Sequence, residues 1–389
     1  MTNFDEIIER RNTYCLKYDC AVPRGRPEGI LPLWVADMDF KTPPEVIAAL
    51  EERARHGIFG YSEPDSGYSD TLIAWFEKMH GWKISAEQIV RTPGVVFSLN
   101  TIVKAFTEKG DSVLIQPPVY YPFSESIKLN ERKLVVNPLR YEFGAYFIDF
   151  EDFEKKIVEN KVKLFIFCSP HNPVGRVWTR EELLRLGEIC LEHNVLIASD
   201  EVHEDFVFPG HKHLVLADLS DALRDITITC TSPAKTFNLA GLHIANTVIW
   251  NKEIRARFER ELAAAGYSQS GVFGLVGCKA AYQYGEKWLA ELKEYLCGNL
   301  AYVKSRLKNF DGIKLVEPQG TYLAWLDCKG LGTEDGELDK LITYKAGLWL
   351  DSGRIFGEGG KGFQRINIAC PRAVLKEAFD RLEKALNNG

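Results

Sequence analysis

The sequence predicts an α/β protein, with a mostly parallel sheet covered by helices and a smaller α+β domain after it. Three observations carry this. The chain has 389 residues, too many for one ordinary core, so two domains are expected. From about residue 90, short apolar β-rich runs alternate with helical stretches, the pattern of strands buried on both faces. Beyond residue 285 the pattern changes to a long helix, a few strands and a terminal helix.

The first forty residues open with an acidic helix start. They continue through Pro23, Pro27 and Pro32 to Leu33-Trp-Val-Ala-Asp-Met-Asp39, a segment expected to lie extended over another surface. A helix begins at Pro44, where a proline's missing N–H costs nothing. Residues 59–67 form a turn-rich loop. Gly94 opens an apolar-periodic helix that runs to Phe106. Strands are expected at 112–116, 133–137, 162–168, 195–199, 226–230 and 244–250, with a helix over 180–193 among the stretches between them. Past 285 come a helix over 286–308, strands near 321–327 and 363–368, and a terminal helix. The expected division is an N-terminal arm with part of the small domain over 1–45, a large domain over 46–285 and a small domain over 286–389.

Composition narrows the function. Hydrophobic residues make up 46% and charged residues 26%, the balance of a globular protein in water. The net charge of −6 is no footprint for nucleic acid or an anionic membrane surface. No apolar run approaches a membrane span, and the polar, acidic N-terminus is not a signal peptide. Nine cysteines, an odd number without a CxxC pair, sit in apolar contexts and read as reduced thiols in a cytoplasmic protein.

Five stretches at strand ends carry chemistry, and ligands in such sheets bind beyond the carboxyl ends of the strands. Ser232-Pro-Ala-Lys235 places a lysine just past a strand, in a loop. Such an amine suits a Schiff base to an aldehyde cofactor, with Ser232 on the cofactor's phosphate; a plain surface-loop lysine is the alternative. Thr92-Pro-Gly94 opens a helix whose free amides, Val95 and Val96, suit a phosphate; a plain helix-start glycine is the alternative. Tyr120, between prolines, is placed to stack on a planar ring or to pack in the core. Asn172 sits in a turn fixed by Pro170 and Pro173, where its amide can donate to a phenolate. Asp200 ends an apolar strand. It suits either a pyridinium nitrogen or a helix N-cap. His203, His211 and His213 lack an acid or cysteine at ligand spacing, so no metal is expected.

In this order Gly94-Val-Val, Tyr120, Asn172, Asp200, His203 and Lys235 resemble the fold-type I pyridoxal-phosphate enzymes of the class I/II aminotransferase superfamily. Leu33-Trp-Val-Ala-Asp-Met-Asp-Phe40, Gly60-Tyr-Ser-Glu-Pro64, Lys235-Thr-Phe-Asn238, Gly320-Thr-Tyr-Leu-Ala-Trp-Leu-Asp327 and Cys370-Pro-Arg372 further resemble the MalY/PatB cystathionine β-lyases, or C–S lyases. The resemblance implies a cofactor-holding large domain with a mostly parallel seven-stranded sheet. It implies that Lys235 carries the cofactor and removes the substrate's Cα proton, that Asp200 charges the ring nitrogen, and that Tyr120 serves the ring. Asn172 and His203 lie at the phenolate, and Gly94, Val95, Val96 and Ser232 at the phosphate. Arg365, the Ala36 backbone and Asn172 would bind the amino-acid substrate. A homodimer with shared active sites is implied, Tyr61 reaching the neighbouring subunit's phosphate. Two positions depart from the aminotransferase pattern: His243 stands where many carry a phosphate-binding arginine, and His203 where many carry a tyrosine. The implied reaction is β-elimination from cystathionine or cysteine S-conjugates. Transamination, and a non-catalytic regulatory protein on the same scaffold, are the alternatives.

Overall fold

The computed structural model describes residues 2–387. Seven strands form the main sheet: β1 (Ile89–Thr92), β2 (Ser112–Ile115), β3 (Lys133–Val136), β4 (Leu164–Cys168), β5 (Leu196–Asp200), β6 (Thr227–Thr231) and β7 (Ala245–Ile249). Their spatial order is β1-β7-β6-β5-β4-β2-β3. All neighbours pair in parallel except β7, which is antiparallel to both β6 and β1. Every residue of β2, β4, β6 and β7 is buried, as expected of strands covered on both faces, whereas β3 at the edge is partly open. All six expected strands form. β1 escapes the sequence pattern because Arg91 and Thr92 interrupt its apolar run.

The helices that matter to the site are α1 (Pro44–His56), α2 (Ser66–His80), α3 (Val95–Phe106), α4 (Arg180–Glu192) and α5 (Pro233–Thr236), followed by α6 (Glu286–Leu307) and the terminal α7 (Arg372–Asn387). Local chemistry sets their starts. Asp65 accepts the Tyr68 N–H ahead of α2, and Thr179 forms a capping box with Glu182 ahead of α4. The loop expected at Lys235 is instead one helical turn, α5, with Ser232 as its cap.

After α6, strands β8 (Lys314–Val316), β9 (Leu323–Asp327), β10 (Asp351–Ser352) and β11 (Phe363–Asn367) form an antiparallel sheet in the order β8-β9-β11-β10. Arg365 lies at its centre, paired with Trp325 on one side and Asp351 on the other.

The acidic helix expected at the N-terminus does not form; the first helical turn is Leu16–Asp19. Tertiary contacts override the local pattern. Phe4 packs edge-on against Phe40 and Trp288, and Arg10 grips Asp37 and Asp39, both at 2.6 Å. The chain then lies extended on the small sheet's side. Leu31 and Pro32 pair with Leu348 and Trp349, Leu33 O accepts from Asn367 N, and Trp34 stacks on Trp349 at 4.3 Å. This extended run carries Ala36 to the carboxyl ends of the main strands. No helix among the described residues is long and apolar enough to cross a membrane.

Candidate active site

Parallel strands deliver side chains to one edge of a sheet, and here they deliver them to a cavity of about 410 Å³. β1 leads to Gly94, β2 to Tyr120, β4 to Asn172, β5 to Asp200 and His203, and β6 to Ser232 and Lys235. All of these line the cavity, together with Val95, Val96 and Ala36.

Lys235 Nζ makes a single hydrogen bond, to Ala36 O at 2.7 Å, and has no acidic partner within 4.0 Å among the described residues. Burial therefore dominates its titration and holds the amine down at about 8; Arg365 adds to the depression, while Asp37 and Asp200 oppose it. Asp200 is the mirror image. Among the described residues its carboxyl accepts one hydrogen bond, from Val202 N at 3.2 Å, and burial pushes it up to about 7. The residues after Asp200 form turns rather than a helix, so the N-cap alternative fails. A buried carboxylate without a cation invites a positively charged ligand atom.

α3 starts with three free amides. No side chain caps it, and its first bond runs from Ser98 N to Gly94 O, which leaves the N–H groups of Val95, Val96 and Phe97 unsatisfied. A Cβ on Gly94 would meet no protein atom, so this helix start faces open space where an anion fits. The backbone at Gly94 is extended rather than left-handed, so glycine here provides clearance and not a turn.

Ser232 is placed less freely than expected. Its hydroxyl donates to Ile244 O at 2.7 Å and accepts from Ala234 N at 3.1 Å, so a phosphate contact requires it to release Ile244. Tyr120 packs against Tyr121 and Phe123, and its ring forms a wall of the cavity. His203 is buried with Nδ1 unpartnered, and burial together with Lys235 and Arg365 keeps its imidazole neutral. His243 lies exposed at the cavity rim.

Arg365 stands just behind this wall. Nη1 donates to Asn172 Oδ1 at 2.9 Å, Nη2 donates to Trp34 O at 2.8 Å and to Asp351, and Nε is buried with no partner. Because Arg365 occupies the Asn172 oxygen, the Asn172 NH2 group is left as a donor. Tyr61 is not in the cavity. It is 95% exposed, on a loop whose Ile58 and Phe59 are also exposed.

Three residues of this site were not visible as candidates. Asp351 holds Arg365, Tyr322 OH donates to the same Ala36 carbonyl that Lys235 uses, at 3.0 Å, and Asp37 acts on the Lys235 amine. Asp351 carries the signal that marks Asp200, a carboxylate closing an apolar run, Leu348-Trp-Leu350. Tyr322 has no local signal. The histidines at 203, 211 and 213 separate: His203 enters the cavity, His213 pairs with Glu201 at 2.8 Å, and His211 is exposed.

The family described as aminotransferase class I and II matches residues 28–382. The chain is 43% identical over 386 residues to cystathionine β-lyase PatB of Bacillus subtilis, covering 99% of this chain and 100% of the relative. It is 32% identical to protein MalY of Escherichia coli, covering 99% of each. Among solved structures, cystalysin from Treponema denticola, which contains a pyridoxal 5′-phosphate cofactor, superposes with a TM-score of 0.97 at 38% identity, covering 100% of this chain and 99% of that one.

Proposed function

The chain belongs to the class I and II aminotransferase family, and from that premise we infer that it is a pyridoxal 5′-phosphate-dependent C–S β-lyase. Its reaction converts cystathionine or a cysteine S-conjugate, with water, to a thiol, pyruvate and ammonia. The observation that carries this reading is the full-length likeness to a cystathionine β-lyase at 43% identity.

The unsatisfied groups of the cavity fit the cofactor. The free amides at the start of α3 suit its phosphate, Asp200 its ring nitrogen, Tyr120 a ring face, and Asn172 and His203 the phenolate side. When bound, pyridoxal phosphate supplies an aldehyde for covalent capture of amines and a ring that withdraws electrons from the substrate's Cα. The rest is the work of this chain. Lys235 Nζ would hold the cofactor and, when freed, would take the proton from the substrate's Cα. An amine depressed to about 8 keeps a usable neutral fraction near neutral pH, which an ordinary lysine does not. Asp200 would pair with the ring nitrogen and keep it protonated. Arg365 turns its free Nε, and donors now held by Asp351 and Asn172, toward the substrate carboxylate. The unbonded N–H of Ala36 adds a second contact from the N-terminal run.

We assign residues 46–285 to the cofactor-holding domain, 286–389 to the small domain and 1–45 to an arm shared with it. The exposed loop of Ile58, Phe59 and Tyr61 supports a homodimer in which Tyr61 reaches the partner's phosphate, compensating for a histidine at position 243. Nine free thiols fit the reducing cytoplasm. The test is product partition with L-cystathionine, with and without an added 2-oxo acid. A lyase releases thiol and pyruvate in equal amounts without the oxo acid. Turnover that needs an oxo acid and frees no thiol identifies a transaminase instead.

A further inference from the structure

The strand end after Asp200 carries a second polar cluster that the cofactor cavity does not use. Glu204 is 2% exposed, yet its Oε2 hydrogen-bonds to nothing, and no lysine or arginine comes within 4.0 Å of it, among the described residues. Burial, with Asp205, Glu201 and Asp200 nearby, pushes its carboxyl well above the usual range, so without a cation it is held as an unpaired acid. Its acidic neighbours are satisfied. Asp205 binds His80 Nε2 at 3.1 Å and the Thr236 hydroxyl at 2.7 Å. Glu201 binds the Ser199 hydroxyl at 2.7 Å, His213 Nε2 at 2.8 Å and Leu216 N at 3.3 Å.

The surplus carboxylate points at a place where ligand atoms converge. Glu204 Oε2 lies 4.0 Å from His80 Nε2. One ligand atom from each of His80, Glu204 and Asp205 lies within 4.8 Å of the other two, and Glu201, Glu204 and His213 form a second such triangle that shares Glu204. Ligands about 2.1 Å from one tetrahedral ion stand roughly 3.4 Å apart. The 3.1 and 4.0 Å spans from His80 bracket that value. The cluster also opens onto its own cavity of about 500 Å³, which gives an entry path and room for water.

We propose that His80, Glu204 and Asp205 bind one divalent transition-metal ion of the zinc type, with water from this cavity completing its shell and the Glu201–His213 pair flanking it. An imidazole nitrogen among carboxylates favours such an ion over magnesium or calcium. The ion would join the end of α2 to the turn that follows Asp200. Through the Asp205 bond to Thr236 it would also reach the turn that carries Lys235. It is a structural tie behind the active site, not part of the reaction.

The experiment uses the cofactor-loaded enzyme, dialysed against a chelator and then titrated with zinc chloride. Calorimetry should give one zinc per chain, and Tm should rise by about 3 °C at a hundredfold excess over Kd. X-ray absorption should show nitrogen and oxygen ligands and no sulfur. Glu204→Gln should abolish both the uptake and the Tm shift while keeping the bound cofactor's absorbance. If that variant does not fold, His80→Gln takes its place with the same expectation. No zinc uptake by the wild-type chain, uptake with sulfur ligands, or uptake that survives either substitution overturns the proposal.

Discussion

Two lysines, one enclosed in the arm and one half-buried in the cavity, behave in opposite ways. Lys17 is fully enclosed in the N-terminal arm, 2.8 Å from Asp39 and 3.6 Å from Asp37, and these carboxylates raise its pKa despite burial. Lys235 has a carbonyl for a partner, and burial lowers its pKa to about 8. The aspartates diverge likewise: Arg10 holds Asp37 below its usual range, whereas Asp200 is pushed up to about 7. The arm matches Arg10 and Lys17 with Asp37 and Asp39 and so holds shape. The cavity leaves its charges unmatched, which is the state a ligand can exploit.

The largest effect should come from removing the unmatched groups. Lys235→Ala should cut turnover by about 10³-fold or more, read as pyruvate release. Asp200→Ala, saturated with cofactor, should lose at least about a hundredfold, and His203→Ala far less. Equal rates for wild type and Asp200→Ala would end the comparison.

Stability should show the converse. Asp39→Ala strands Lys17 with only the more distant Asp37 and should cost about 3 kcal/mol in denaturant unfolding. Asp200→Asn in the cofactor-free protein should cost nothing or stabilise it, because it removes an uncompensated buried charge. Similar losses in both would mean that the cavity, too, is built for stability.

The titration of Lys235 gives a smaller, graded effect. Covalent capture of added cofactor by the cofactor-free protein, trapped with borohydride and mapped to Lys235, needs the neutral amine. Its rate should level off above pH about 8 and fall about tenfold per unit below it. An inflection near the ordinary lysine value would show the amine to be solvated. The smallest effect is expected at Tyr61, where Tyr61→Phe should weaken cofactor retention by about tenfold, the value of one charge-assisted hydrogen bond. Co-expression of Tyr61→Phe with Lys235→Ala should give heterodimers in which one site carries neither change and retains cofactor as tightly as wild type does.

The legible parts of this molecule were those set by neighbours in sequence. Strands β2 to β6 announce themselves as apolar runs closed by proline or a carboxylate, and the groups just past them, Asn172, Asp200 and Lys235, meet in one cavity because parallel strands end together. What stayed hidden depends on distant segments. Tyr322 matters because the N-terminal run brings it Ala36, 286 residues away. The arm's acidic start mimics a helix but is held extended by Arg10 and Phe4. Ser232 reads as a phosphate donor until the Ile244 carbonyl, in the loop before β7, accepts its hydrogen bond.

Asn238 has a mechanical consequence. Its side-chain oxygen accepts from Met38 N, and its NH2 group donates to Met38 O and Phe40 O, three residues past Lys235. With Lys235 itself bonded to Ala36, the arm and the turn α5 are latched at two points and move as one lever. Force applied to the first forty residues is therefore delivered to the Lys235 amine, and a bulky fusion at the N-terminus is a load on the cavity rather than an inert handle.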